Sequence, residues 1–419
     1  MSFSEKKFSK TYESLEGATP NELISLIEPK IEHAITIDSV KEQLEKGEPL
    51  NIKFGTDPTG PDLHIGHVVP IRVLDILSRA GHNIDLVFGD FTAKVGDPSG
   101  RSNERPLLTD EKISENVSTF RTQVNKYFDT TRSNVKVSHN SDWLKDMPFS
   151  EVFKYLQDVN LSEAMQRRDF RTRLLGGQGV SLAEAFYGTM MGIDSVQLET
   201  DIEIGGIDQL LNFQQTREVQ RNRGQHAESV LMTPILEGTS GNGIKMSKSL
   251  GNFVPLRATP NEIYGKMMSI PDDLILKYMT AFAPVEQSEL EGLSKQIADN
   301  PLEMKKQLAT YMAAISTSEL SKGLEERENF ERRFVNKTLD EKDIQVLPSS
   351  VDSLIDGIFA TGNYSSRGEI RRLALQGAIK IDGQKVSEEE LLGALPESDT
   401  IVTVGKRSAY RIANENINI

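Results

Sequence analysis

The sequence predicts an α/β fold: an open parallel sheet in the N-terminal half, a small helical domain, and a compact α+β domain at the end. Three observations predict it. Short apolar strands alternate with amphipathic helices from about residue 40 to 235. The strand signal then vanishes between Thr259 and about Arg333, where Leu274, Leu276, Tyr278 and Met279, then Leu290, Leu293 and Ile297, recur at helical spacing. Gly-punctuated strands (AIKIDGQKV, TIVTVGKR) return with two short helices between about 350 and 415.

Taken in order, residues 1–50 read as polar and helical, broken by Pro20 and Pro29. Asn51–Gly55 is a strand; Val69, Val73, Leu74 and Leu77 mark a helix over His67–Ala80 that Gly81 ends; Ile84–Gly89 is the next strand. A strand, a helix and a strand within about 40 residues make a βαβ unit, whose strands run parallel. The alternation continues with a strand at Asn134–Val137, a helix at Pro148–Leu156, a strand at Asp201–Gly205 and a helix at Gln209–Arg221. The divisions are then 1–235, a loop region at 236–258, a helical domain at 259–335, a polar linker at 336–349 and a final domain at 350–415. In that last segment Ile379-Lys380-Ile381 alternates, turns at Asp382-Gly383 and continues with Lys385-Val386, a hairpin pattern.

Composition narrows the chemistry. The 419 residues contain no cysteine, so disulfides, thiolate metal sites and a cysteine nucleophile are excluded. MSFSEKKFSK lacks the apolar core of a secretory signal, and no uncharged apolar run approaches the roughly 20 residues of a membrane span. A cytoplasmic protein without a membrane partner is expected. The net charge of −14 argues at first against a nucleic-acid partner.

The densest chemical signal is Asp57-Pro58-Thr59-Gly60-Pro61-Asp62-Leu63-His64-Ile65-Gly66-His67, between the first strand and its helix. A helix N-terminus offers unpaired N–H groups and a positive dipole end, which suit a phosphate. Two histidines three apart can reach the same side of the first turn and donate to phosphate oxygens as charge grows on them. Gly66 lets a flat base approach the backbone. Two surface histidines at an N-cap would have the same spacing. A second signal is Lys245-Met246-Ser247-Lys248-Ser249, after the Gly-rich stretch 238–243. Two lysines on a mobile loop can close over a triphosphate, although a short Lys/Ser run alone reads equally as solvated surface.

Together and in this order, His64-Ile65-Gly66-His67 and Lys245-Met246-Ser247-Lys248-Ser249 resemble the two signatures of class I aminoacyl-tRNA synthetases. Asp57-Pro58-Thr59, the run Phe91–Gly100 (FTAKVGDPSG) and Gly205-Gly206-Ile207-Asp208-Gln209 are similar to the tyrosyl branch of that family. Ser366–Leu373 (SRGEIRRL), with IDGQKV and Val404-Gly405-Lys406-Arg407, resembles an S4-type RNA-binding domain. The resemblance runs from about residue 30 to 412 and implies a Rossmann-type catalytic domain.

The resemblance also implies roles. Thr59, His64, His67, Lys245 and Lys248 would serve catalysis on the triphosphate. Gly66, Gly206, Asp208, Met246 and Ser247 would complete the ATP site with them, and Asp57, Thr92, Asp97, Tyr187, Met191, Asp194 and Gln209 the amino-acid site. Tyr187 and Asp97 would lie near the ammonium group, and Asp194 at the phenol hydroxyl. ATP with Mg2+ would enter as a substrate complex, with no tightly bound cofactor and no protein metal site. Implied partners are tyrosine or a close analogue, tRNA(Tyr) and a second copy of the chain, with the region around 140–170 at the dimer interface.

Two positions depart from the family's pattern. Met191 stands where the family has a glutamine that contacts the ammonium group, and Ile207 where it has Ser or Thr. A thioether donates no hydrogen bond and accepts one only weakly, so an α-ammonium loses an acceptor there and its recognition should weaken by about 1 kcal/mol or more. Three functions follow: a tyrosine–tRNA ligase; a paralogue with altered selectivity, for β-tyrosine or another para-hydroxyphenyl substrate, in a biosynthetic or inhibitor-resistance role; or a non-catalytic RNA-binding protein on the same fold. Within the tail, Arg367, Arg371, Arg372, Lys380, Lys385, Lys406, Arg407 and Arg411 can line one RNA-facing track while Glu388–Glu390 face away. An acidic total therefore does not exclude RNA.

Overall fold

The computed structural model describes residues 2–98, 108–157, 162, 165, 167–241, 243–246, 250–332, 344–347, 351–364, 366–397, 400–405 and 408–412. Contacts divide the chain into two compact units, residues 1–326 and 327–419.

The first unit is built on six strands: β1 His33–Ile35, β2 Asn51–Thr56, β3 Asn83–Phe88, β4 Val135–His139, β5 Ile202–Gly206 and β6 Ser229–Thr233. Their order is β1-β6-β5-β2-β3-β4. All neighbours are parallel except β1, which runs antiparallel to β6 with Ala34 opposite Leu231. The expected parallel sheet is therefore mixed at one edge, because β1 lies inside the segment read as helical. Three residues are too few to show a period of two. The chain leaves β2 toward β3 and β4, then returns to place β5 on its other side, so β2 and β5 flank a topological switch point, where α/β sheets bind ligands.

β2 and β5 lie at the centre of a sheet covered by helices, and the buried charged residue that each carries is therefore conspicuous. Lys53 on β2 and Glu203 on β5 are register partners, 2 % and 1 % exposed. The helix Val68–Arg79 packs under the switch point, and all its residues are buried. Opposite, helix Leu182–Leu198 runs against helix Leu210–Asn222. A Cβ on Gly192 would lie 2.7 Å from Val219 Cβ, and one on Gly188 would overlap Gln215. These two glycines let the helices approach closely.

The helical segment after residue 259 belongs to the same unit. Three cations converge on the C-terminal carbonyls of helix Ile275–Phe282 and the turn beyond it. Lys30 Nζ donates to Thr280 O at 2.7 Å, Arg72 Nε to Phe282 O at 3.1 Å, and Lys7 Nζ to Pro284 O at 2.9 Å. Such cations satisfy the orphan carbonyls and complement the helix dipole. No helix among the described residues is long and apolar enough to cross a membrane.

The second unit holds a five-stranded sheet in the order β7-β11-β10-β8-β9, from β7 Ile344–Leu347, β8 Ile379–Ile381, β9 Gln384–Lys385, β10 Ile401–Val404 and β11 Ser408–Ile412. β7 lies within the segment read as linker and pairs parallel with β11. The hairpin turns at Asp382 and Gly383, whose φ angles of 43° and 85° are those of a two-residue turn with both central residues left-handed. Helices Leu354–Ala360 and Arg367–Leu375 close a core around Leu354, Ile358, Ile370, Val402 and Tyr410.

Candidate functional site

A cavity of about 520 Å³ opens at the switch point, between the ends of β2 and β5. Its lining includes Asp57, Thr59, His64, Gly66, His67, Thr92, Asp97, Tyr187, Met191, Asp194, Gly206, Asp208, Gln209, Lys245 and Met246. Segments nearly 190 residues apart in sequence thus share one cavity, and they fall into three groups.

The histidine loop is braced from both sides. Asn116 and Gln123 of helix Asp110–Val124 donate to Pro58 O and Pro61 O, and Gln123 Oε1 accepts from Leu63 N at 2.9 Å. Ile65–His67 is a 3₁₀ turn preceding helix Val68–Arg79. With i and i+3 eclipsed in such a turn, the His64 and His67 rings lie 4.2 Å apart. The Gly66 N–H donates to His64 Nδ1 at 3.2 Å, and a Cβ on Gly66 would lie 2.9 Å from that ring. Gly66 therefore positions His64.

Backbone pairing brings in the second motif. Ile65 N donates to Val254 O at 2.9 Å and Leu256 N to Leu63 O at 3.0 Å, so the chain just past the lysine motif is stitched to the histidine loop. Lys245 bridges Glu237 in antiparallel fashion, and its Nζ donates to Asp208 Oδ2 at 3.1 Å. Met246 is buried against the wall, whereas Ser247 and Lys248 lie outside the described residues, as do Lys406 and Arg407 in the second unit. A Cβ on Gly206 would lie 2.5 Å from Asp208 Oδ1, so the second glycine of the turn lets that carboxylate fold back toward the cavity.

The third group is a chain of buried polar contacts. Tyr187 OH donates to Asp57 Oδ2 at 3.0 Å and Thr92 Oγ1 to Asp57 Oδ1 at 2.8 Å. Asn140 Nδ2 donates to Thr92 Oγ1 at 3.0 Å and to Asp194 Oδ2 at 3.3 Å. Trp143 Nε1 donates to Asp194 Oδ1 at 2.8 Å. Burial pushes the Asp57 carboxyl up to about 6, with Asp97 adding to the shift. It pushes Asp194 up to about 7, opposed by Lys53 and the two donors. Burial, Asp57 and Asp97 hold the Tyr187 phenol well above its ordinary value. Asp97 Oδ1 accepts from Asn212 Nδ2 at 3.1 Å.

Met191 lines the cavity and belongs with Tyr187, Phe213 and Val230 to one apolar cluster, against which Ile207 packs without lining the cavity itself. Sequence reasoning missed Lys53, Asn140, Glu203 and Trp143. The signal for Lys53 and Glu203 was present, since each interrupts an otherwise apolar central strand (NIKFG, DIEIGG). Arg367 donates to Asp356 Oδ1 at 2.6 Å, and Arg371, Arg372, Lys380 and Lys385 are exposed on the second unit.

Residues 45–332 match the family model of class I tRNA synthetases (W and Y). A tyrosine–tRNA ligase of Thermotoga maritima is 34 % identical over 398 residues, covering 94 % of this chain and 98 % of that protein. One from Carboxydothermus hydrogenoformans is 35 % identical over 90 % of this chain and 93 % of its own length. The crystal structure of an Archaeoglobus fulgidus tyrosyl-tRNA synthetase complexed with L-tyrosine shares the fold, with a TM-score of 0.60 at 23 % identity over 74 % of this chain and 99 % of that one. A switch-point cavity carrying both motifs, a family match over most of the chain and full-length relatives agree: the chain belongs to the tyrosyl-tRNA synthetase family of class I aminoacyl-tRNA synthetases.

Proposed function

We infer that this chain is a tyrosine–tRNA ligase, and that the cavity activates tyrosine with ATP before passing it to tRNA(Tyr). The observation that carries the reading is the convergence of His64, His67 and Lys245 with the Asp57–Tyr187 and Asp194 groups around one cavity. The tyrosine carboxylate attacks the α-phosphorus of ATP, forming the adenylate and releasing pyrophosphate. The tRNA terminal hydroxyl then attacks the adenylate carbonyl, forming the ester and releasing AMP. Neither step needs an enzyme nucleophile, so positioning and charge stabilisation suffice.

Thr59, His64 and His67 face the triphosphate, with Lys245 and Lys248 on its pyrophosphate side and Met246 and Ser247 carrying that loop. Magnesium arrives with ATP as part of the substrate. Asp208 beside Gly206 takes the ribose hydroxyls; Lys245 now occupies that carboxylate and would exchange it for phosphate. Asp97, Asp57 and Tyr187 form an anionic end for the ammonium group, which offsets the loss of an acceptor at Met191. Thr92 holds Asp57, and Gln209 faces the amino-acid carboxylate. Asp194 accepts from the phenol hydroxyl.

Around this centre, residues 1–235 form the catalytic domain, 236–258 the lysine loop and 259–335 a helical anticodon-side domain, followed by a linker to an S4-like domain at 350–415. There Arg367, Arg371, Arg372, Lys385, Lys406 and Arg407 contact RNA. Lys380 and Lys385 sit directly opposite on the hairpin, a like-charge pair that a phosphate would relieve. The chain works in the cytoplasm as a homodimer, supported by the exposed Phe149, Phe153, Leu156, Leu174, Leu175 and Leu182.

ATP–pyrophosphate exchange and tRNA charging test the reading across tyrosine, β-tyrosine and phenylalanine. Tyrosine-dependent exchange that His64→Ala abolishes supports it; no exchange with any of the three overturns it. Exchange with β-tyrosine well above tyrosine favours the second reading, a paralogue of altered selectivity, which Met191 at the ammonium end motivates.

A further inference from the structure

The closed end of the cavity carries a buried ion network that the reaction above does not use. Lys53 Nζ donates to Ser195 Oγ at 2.6 Å, to Met191 O at 3.0 Å and pairs with Glu203 Oε1 at 2.9 Å. An ammonium has three donors, so all are spent and none remains for a substrate. Met191 and Ser195 are one helical turn apart, and Asp194 lies between them. Lys53 therefore grips the turn that presents Asp194.

The charges explain why a cation is needed there. Glu203 and Glu228 are 1 % and 0 % exposed, and Asp194 is 5 % exposed. Three carboxyls cannot all ionise in so dry a place beside one lysine. Burial and the neighbouring Glu203 hold Glu228 well above the carboxylate range, so it stays protonated. Burial works against the Lys53 charge, but the neighbouring carboxylates, Glu203 foremost, outweigh it and hold its value above that of an ordinary lysine. The groups facing Asp194 are Lys53 from β2, Glu203 from β5 and Tyr187 from its own helix, together with neutral Asn140 and Trp143. Of these, Lys53 alone brings positive charge.

We propose that Lys53 is a specificity-determining positioning residue: its charge and its hold on Met191 and Ser195 keep Asp194 a fixed, ionised acceptor for a substrate's distal hydroxyl. The proposal rests on the tyrosine reading. A protonated Asp194 presents an O–H on one oxygen and loses its demand for a donor, so a ring without a hydroxyl is no longer disfavoured.

The test measures kcat/KM for tyrosine and phenylalanine in ATP–pyrophosphate exchange from pH 5.5 to 9. The double variant Lys53→Met/Glu203→Gln removes the ion pair without stranding either charge. Its tyrosine-over-phenylalanine ratio should fall several-fold at pH 7, and the midpoint of the tyrosine profile should rise by about half a pH unit, because the Lys53 charge acts on Asp194 more strongly than the opposing Glu203 charge removed with it. The phenylalanine profile should stay within about 3-fold, since that substrate makes no use of Asp194. The single variant Glu203→Gln leaves Lys53 to Asp194 and should move the midpoint the other way, to lower pH. It retains all charge near the lysine but one, and stands as the test should the double variant not fold. Opposite shifts support the proposal, because a merely structural role would lower both substrates together. Unmoved midpoints, or equal losses for tyrosine and phenylalanine, overturn it. A wild-type chain without tyrosine-dependent exchange would instead sink the underlying reading.

Discussion

Tyr187 and Asp57 meet across the cavity, the phenol donating to Oδ2 at 3.0 Å although 130 residues separate them. With Thr92 on the other oxygen and Asp97 nearby, this bond defines an anionic corner. Removing one charge there by Asp57→Asn should raise the KM for tyrosine by about 10- to 100-fold, the range of a charge-assisted hydrogen bond. KM for ATP should stay nearly constant in the same exchange assay. Because the Asp57 carboxyl titrates at about 6, wild-type kcat/KM should fall below that pH for tyrosine and phenylalanine alike, both carrying the ammonium group. Asp57→Asn should flatten that limb. Stability runs the opposite way. Between the ordinary carboxylate value and about 6, the folded chain keeps a proton that the unfolded chain has released. This site therefore stabilises the fold at acid pH, by on the order of 1–3 kcal/mol, and the effect disappears as pH rises through 6. Urea unfolding of wild type and Asp57→Asn across that window measures it.

Gly66→Ala should mimic loss of the histidine it supports. The added methyl would lie 2.9 Å from the His64 ring and displace it from its Gly66 N–H. The rate of adenylate formation should drop by roughly 10- to 1000-fold, the scale of one lost charge-stabilising donor. Pre-steady-state measurement should show the change in rate and not in tyrosine affinity, and the double variant with His64→Ala should add little. Full additivity would mean that the glycine serves something else.

The proposed homodimer should be sensitive to charge placed on the exposed aromatic residues of helix Phe149–Leu156. Phe149 is 74 % and Phe153 is 53 % exposed. Phe149→Asp/Phe153→Asp should convert a dimer into a monomer in sedimentation velocity. Because both rings face outward, the monomer's thermal unfolding should remain cooperative.

The opposed lysines of the terminal hairpin should report phosphate contacts. Lys380→Ala and Lys385→Ala should each weaken tRNA binding and reduce the slope of log affinity against log salt by about 1. Neither should change tyrosine-dependent pyrophosphate exchange. An unchanged slope would remove this face from the RNA surface.

Much of this was legible in the residues. The strands from Asn51 and Ile84, the intervening helix, the Asp382–Gly383 hairpin and the two motifs that meet at the cavity are local patterns of period, turn chemistry or donor spacing. The short edge strand His33–Ile35 and the strand Ile344–Leu347 were not legible, because each gains its hydrogen bonds from a partner far along the chain. Ile207 reads in the sequence only as a departure from a pattern; its packing on the cluster that holds Tyr187 and Met191 is a matter of tertiary structure.

The sequence by itself determined the alternating α/β architecture, the family and the donor-rich chemistry, since these depend on residue types at fixed short spacings. Only the tertiary structure decided how the lysine motif reaches the histidines, through the pairing of Leu63–Ile65 with Val254–Leu256. It alone decided that Lys53 meets Glu203 below Asp194. The physical reason is that strand order and register are settled by the burial of the whole sheet, and an ion pair between neighbouring strands exists only once that order is set.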